Sequence, residues 1–111
     1  MLAQDTGLFS CEVIPDREGA TVAPRGELDM ATIGAVEHEL RHLRRSGFEK
    51  LVLDLSGLTF MDSTGLHLVT RWTQEASQDG FVFEIEPGPR VVQRVFELAE
   101  MTHGLPFRQP D

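Results

Sequence analysis

The stretch from Leu51 to Val69, LVLDLSGLTFMDSTGLHLV, constrains the fold more than any other part of the chain. Lys50 to Leu55 is a continuous apolar run broken only by Asp54. So little alternation predicts a central strand covered on both faces. Asp54, inside such a run, needs a backbone or water partner. The stretch closes on Asp62-Ser63-Thr64-Gly65, which opens an amphipathic segment. In that segment Leu66, Val69, Trp72 with Thr73, and Ala76 form one stripe, and Arg71, Gln74, Glu75 and Gln78 the other, up to Gly80. The spacing is helical. A covered strand, a tight loop and a helix make half of a crossover unit, which wants parallel strands and a right-handed connection.

The flanks extend this pattern. Leu8 to Ile14 reads as a strand ending at Pro15, Asp16-Arg17-Glu18-Gly19 as a polar turn, and Ala20 to Arg25 as a second strand. Together they predict a hairpin. Pro24 lacks a donor and points to a sheet edge or a strand end. After Gly26-Glu27-Leu28, Asp29 is placed to cap a helix start. Met30, Ile33, Val36 or Glu37, Leu40 and Leu43 then recur at helical steps, and Gly47 stops them. Arg41, His42, Arg44 and Arg45 cluster near that helix's C-terminus, where the dipole favours cations. Phe81, Phe83 and Ile85 alternate with Val82, Glu84 and Glu86, a half-buried strand. Pro87-Gly88-Pro89 is a turn. Val91, Val92, Val95, Phe96, Leu98 and Ala99 line a third helix that His103-Gly104 ends, and Leu105-Pro106-Phe107 reads as a short last strand.

The expected fold is therefore α/β. It is one domain over residues 1–111, with its core about 8–107. A mixed central sheet of four to five strands, an N-terminal hairpin plus parallel strands, packs with three to four helices. The length of 111 residues suits one domain, and 41% hydrophobic residues suffice for a core. Trp72 and the phenylalanines belong to that core or its margin, not to a stacking platform. A net charge of −8 argues against generic nucleic-acid binding, which needs cations against phosphates. It also argues against an anionic membrane surface, and it suits a partner with a basic one. Cys11 is the single cysteine, so no internal disulfide forms, and a half-buried thiol is expected. No apolar stretch reaches the ~18 residues of a membrane span. No basic-then-apolar leader stands at 1–7. The cytoplasm is the expected location, without membrane insertion.

Ser63 carries the candidate chemistry. A hydroxyl at a helix opening serves as a cap, a nucleophile or a phosphorylation site. Ser63 and His67 share a helical face at i and i+4, with Asp62 and Asp29 available, which resembles a hydrolase set. Against that, Met61 stands where a nucleophile elbow needs glycine. A histidine on its serine's own helix also aims poorly at the hydroxyl. No glycine-rich loop with lysine marks a nucleotide site. The expectation is no enzyme, no catalytic residue, no metal and no cofactor. A phosphate on Ser63 would add about −1.5 to −2 charges, and the first-turn amides could hold it. Gly65 is expected to clear an approach for a kinase or partner loop. Thr64 is chiefly structural and the second candidate for a phosphate. Asp62 is a cap, a neighbouring charge, or both. Asp29 joins it if the first helix also begins at the carboxyl end of the sheet.

Three features, in order, carry a resemblance: Gly26-Glu27-Leu28-Asp29, the long stretch from Leu51 through Asp62-Ser63-Thr64-Gly65-Leu66, and Arg94-Val-Phe-Glu-Leu98 in the last helix. Over roughly Leu8 to Phe107 the chain resembles a stand-alone STAS domain of the bacterial anti-sigma-factor antagonist type. The resemblance implies that Ser63 is phosphorylated by a partner kinase, itself the anti-sigma factor, of the histidine-kinase-like ATPase fold. The unphosphorylated antagonist binds that factor and frees a sigma factor; phosphorylation stops the binding and a phosphatase restores it. Asp29, Asp62, Thr64, Gly65 and His67 then surround the switch, in a monomer or weak dimer. His67 departs from the family, where glycine is common, and so does Glu100. STAS domains also occur as tails of anion transporters, in stress-signalling assemblies and as small subunits of lipid-transport complexes. The alternative is thus an interaction subunit of a transport or stress-signalling complex without a phosphoswitch.

Overall fold

The computed structural model describes residues 2–5, 8–101 and 104–109, the first of these by their backbone. Six strands form among them: β1 (Leu2–Asp5), β2 (Ser10–Pro15), β3 (Ala20–Leu28), β4 (Lys50–Asp54), β5 (Leu58–Met61) and β6 (Val82–Glu86). Three helices accompany them: α1 (Ile33–Arg45), α2 (Ser63–Asp79) and α3 (Arg90–Leu98). The strand order is β1-β2-β3-β4-β6, with β5 also on β3. β1, β2 and β3 pair antiparallel; β4 and β5 pair parallel to β3, and β6 parallel to β4. The fold is the expected α/β arrangement of a hairpin joined to parallel strands.

Local chemistry explains the hairpin. The Asp16 carboxylate accepts from the amides of Glu18 at 2.8 Å and Gly19 at 2.9 Å, and the Asp16 amide donates to the Gly19 carbonyl. Those bonds, Gly19's first, hold the Asp16 carboxyl below its ordinary range. β4 is covered on both sides: Leu51 and Leu53 face one way, Val52 the other, and all three are buried. Asp54 finds its partner in the Ser56 amide at 2.9 Å.

β3 departs from expectation. It runs on through Pro24 to Leu28 in the middle of the sheet, not at an edge. Its parallel partners divide it, β4 along Ala20–Val22 and β5 along Gly26–Leu28. Pro24 falls between the two stretches, where no parallel strand requires its missing N–H. β5 is a further strand, and its burial runs buried, exposed, exposed, buried, without the alternation that marks a strand in sequence.

α1 begins later than its apolar spacing suggested. Its N-cap is Thr32, and Met30 sits in the preceding turn, 80% exposed rather than part of the buried stripe. Asp29 does not cap α1; it shapes that turn. Its carboxylate accepts from the Ala31 amide at 2.9 Å, and its carbonyl accepts from Ile33 at 2.8 Å. α3 ends at Leu98, and His103, the expected stop, lies outside the described residues. Phe107 makes a single parallel bridge to Ile85 and stacks edge-on against Phe96 at 5.0 Å, so the last segment is a bridge and not a full strand.

Trp72 is the largest fully buried side chain. Phe81 and Phe83 stand 6.0 and 6.3 Å from it, and the Arg41 guanidinium lies 4.4 Å over its ring. Glu37 on α1 accepts from the Trp72 indole N–H at 3.2 Å and pairs with Arg41 and with Arg71 of α2. Arg41 also donates to Glu75, which raises its affinity for its proton. Apolar packing and this charged seam together lock α1 to α2.

Candidate functional site

The site is built by two strands that end together. Leu28 of β3 lies opposite Met61 of β5, and the Asp62 amide donates to the Leu28 carbonyl at 3.2 Å. The next residues, Asp29 and Asp62, therefore emerge side by side at the carboxyl end of the sheet.

Asp62 turns the chain into α2. It has an extended backbone (φ −104°), and its carboxylate accepts from the Thr64 amide at 2.9 Å. The same oxygen accepts from the Thr64 hydroxyl, and the Asp62 carbonyl accepts from the Gly65 amide. The cap thus occupies Asp62 and ties down Thr64. Ser63, the first residue of α2, is exposed, and its hydroxyl has no protein partner among the described residues. His67 follows one turn later, also exposed.

Gly65 does something other than the sequence suggested. It is buried, and a Cβ placed on it would stand 2.5 Å from Met61 Cγ and 2.6 Å from Met61 Sδ, with Leu28 Cδ2 at 3.2 Å. The missing side chain faces the core, where α2 closes onto the ends of β3 and β5. It does not open a path from solvent to Ser63.

Two residues at this end escaped sequence reasoning. Met30, directly after Asp29, and Phe60, 42% exposed, give the acidic rim an apolar flank. Met30 fitted the helical period by coincidence. Phe60 lies at the margin of the core, on a strand whose two middle residues, Thr59 and Phe60, are both exposed.

Asp62 is engaged by Thr64, and no hydrogen bond joins His67 to Ser63 among the described residues. Among the described residues no group of three His, Cys, Asp or Glu side chains could hold a metal, and no helix is long and apolar enough to cross a membrane. Cys11 is fully buried, and burial, aided by the Glu39 charge, pushes its thiol up to about 12.

A family model described as "Mlab, STAS domain" matches residues 13–107. Among solved structures, the chain is similar to an anti-sigma factor antagonist from Mycobacterium paratuberculosis, with a TM-score of 0.81 at 20% identity, covering 96% of this chain and 91% of that one. It is also similar to the anti-sigma factor antagonist SpoIIAA in its unphosphorylated form, with a TM-score of 0.70 at 20% identity, covering 91% of this chain and 88% of that one. Both share the arrangement of strands and helices described above. The chain belongs to the STAS domain family, whose members are regulatory domains and not enzymes.

Proposed function

We propose that this protein is an anti-sigma-factor antagonist switched at Ser63. The unphosphorylated form binds an anti-sigma factor, a serine kinase of the histidine-kinase-like ATPase fold, and so frees a sigma factor. Phosphorylation of Ser63 ends the binding and a phosphatase restores it. The observation that carries this reading is the isolation of the Ser63 hydroxyl. It is exposed at the first position of α2, while the neighbouring Thr64 hydroxyl is held by Asp62. A kinase reaches the first and must break the cap to reach the second.

The charge arrangement supplies the switch. Ser63 follows Asp62, which emerges beside Asp29 where β3 and β5 end, and Met30 and Phe60 on the same two segments are exposed. A partner fitted to that surface meets a small neutral hydroxyl. A phosphate puts about −1.5 to −2 charges there. Burying that charge unpaired costs several kcal/mol, or roughly a thousandfold in affinity. Ser63 is exposed at the start of α2, so a phosphate there is carried on the surface without unfolding the helix. The domain stays folded while binding is lost.

Intact mass after incubation with ATP and extract of the host cell tests this reading. One added phosphate, mapped to Ser63 and absent from Ser63→Ala, supports it. No phosphate, where a control antagonist is modified, overturns it. A second reading then takes its place: a STAS interaction subunit of a transport or stress-signalling complex. The Mlab description of the matched family, beside only 20% identity to either antagonist, favours keeping it. A pull-down separates the two, since a histidine-kinase-like ATPase belongs to the first and a transporter ATPase to the second.

A further inference from the structure

The outer face of α1 carries two side chains that the regulatory reading leaves unused. His38 and His42 stand one turn apart, both exposed, with their rings 11° from parallel and their centroids 6.4 Å apart. Neither ring makes a hydrogen bond among the described residues. The five residues His38-Glu39-Leu40-Arg41-His42 also follow the H-E-x-x-H pattern, which puts two histidines on one helical face.

The rest of α1 explains why that face is clear. Val36, Leu40 and Leu43 are buried in the core. Glu37 and Arg41 are engaged with Trp72, Arg71 and Glu75 of α2. Glu39 acts on Cys11 of β2. His38, His42 and Arg45 are left to solvent. Residues one turn apart hold their Cβ atoms about 5–6 Å from each other. Rotation of two exposed rings about their own side-chain bonds then brings a nitrogen of each to about 2.0–2.1 Å from a shared ion. The backbone bearing them is fixed by the buried residues of the same helix, so only side-chain freedom is lost.

We propose that His38 and His42 together ligate one divalent transition-metal ion of the zinc, nickel or copper class, with water in the remaining positions. Imidazole suits these ions, and they stand at the tight-binding end of the first-row series. The site binds and does not hydrolyse. A metallopeptidase needs a third protein ligand and a glutamate aimed at the metal-bound water. No third ligand-bearing side chain joins the pair among the described residues. Arg45, one turn beyond His42, adds a positive charge that moderates the affinity. The site is independent of Ser63 and its partner.

Titration calorimetry of the full chain with zinc chloride, then nickel chloride, in a non-chelating buffer tests the proposal. The expected result is one ion per chain, with binding at least about tenfold weaker in His38→Ala and in His42→Ala, or ~1.4 kcal/mol each. Both positions are exposed, and circular dichroism verifies that the variants keep the fold. No saturable heat by about 1 mM zinc, a Kd equivalent to ~4 kcal/mol, overturns it. So does full binding in both variants, or binding lost instead in His67→Ala or His103→Ala. Magnesium binding as tight as zinc would mean a carboxylate site and would overturn it too.

Discussion

Gly65 decides where Ser63 sits. On helix propensity alone, alanine at this position would be better than glycine by about 1 kcal/mol. The structure predicts the opposite outcome. A methyl there would press on Met61 at 2.5 Å and on Leu28 at 3.2 Å, both fully or almost fully buried. Overpacking of this kind costs typically about 1–3 kcal/mol. Urea unfolding of Gly65→Ala is expected to show a loss of that order, and a gain would mean that Met61 repacks freely. At Ser63 the expectation concerns binding and not stability. Ser63→Ala should hold its partner constitutively, while Ser63→Asp should bind poorly, with both variants as stable as the wild type. Equal partner affinity for the two would remove the charge switch. At this scale the strand-loop-helix pattern marks Asp62-Ser63-Thr64 as a helix opening, which the structure has with Asp62 as the cap, but it leaves Ser63 open as cap, nucleophile or phosphorylation site. It misread Gly65, because spacing shows where a glycine falls along a helix but not which way a first-turn residue points.

The elements are held by pairs distant in sequence. Glu37 on α1 takes the Trp72 indole N–H, and Arg41 reaches Glu75 of α2 at 2.5 Å. These bonds differ in worth because their surroundings differ. Trp72 is fully buried. Glu37→Ala leaves its N–H without the carboxylate that satisfied it, at a cost of about 1–3 kcal/mol. Glu75 and Arg41 remain 30% and 34% exposed, so water can take over. Glu75→Ala should therefore cost no more than about 1 kcal/mol. Chemical denaturation of the two variants side by side checks the order, and a larger loss for Glu75→Ala would reverse this account. The helical faces of α1 and α2 were legible, since their buried residues recur at 3.6-residue intervals. The seam between them was not. Nothing in the sequence says that Glu37 meets Trp72. The same limit hid the length of β3, where Pro24 reads as an interruption until the gap between β4 and β5 is seen.

At the scale of the whole molecule, the order of elements was enough for the α/β class, because repeated strand-helix steps admit few topologies. What that order could not provide was a count of ionisable groups held out of water, and this sets how stability responds to pH. Cys11 dominates the alkaline side. Its thiol ordinarily titrates near 9.0, and in the fold it is pushed up to about 12 by burial first and the Glu39 charge second. Between those values the unfolded chain has released the proton and the folded chain has not. The folded state then binds more protons, so stability falls as pH rises from 9 toward 12 and has no slope from this group below 9. At about 1.4 kcal/mol per pH unit the loss over the whole window is on the order of 4 kcal/mol. The chain has no tyrosine and a single lysine, Lys50, so few other groups titrate in that range. On the acid side Asp16 works with the opposite sign. Its carboxyl is held low by the Gly19 and Glu18 amides, so its contribution is present above the ordinary carboxylate range and is lost as pH falls through it. Urea unfolding of the wild type and of Cys11→Ala from pH 7 to 11 separates the thiol from everything else. The variant starts less stable, because a buried side chain is trimmed. Above pH 9 its stability should fall less steeply than the wild type's, so the two curves converge. Parallel curves would mean that the thiol keeps its ordinary titration in the fold, and that solvent reaches Cys11 through the strands that cover it.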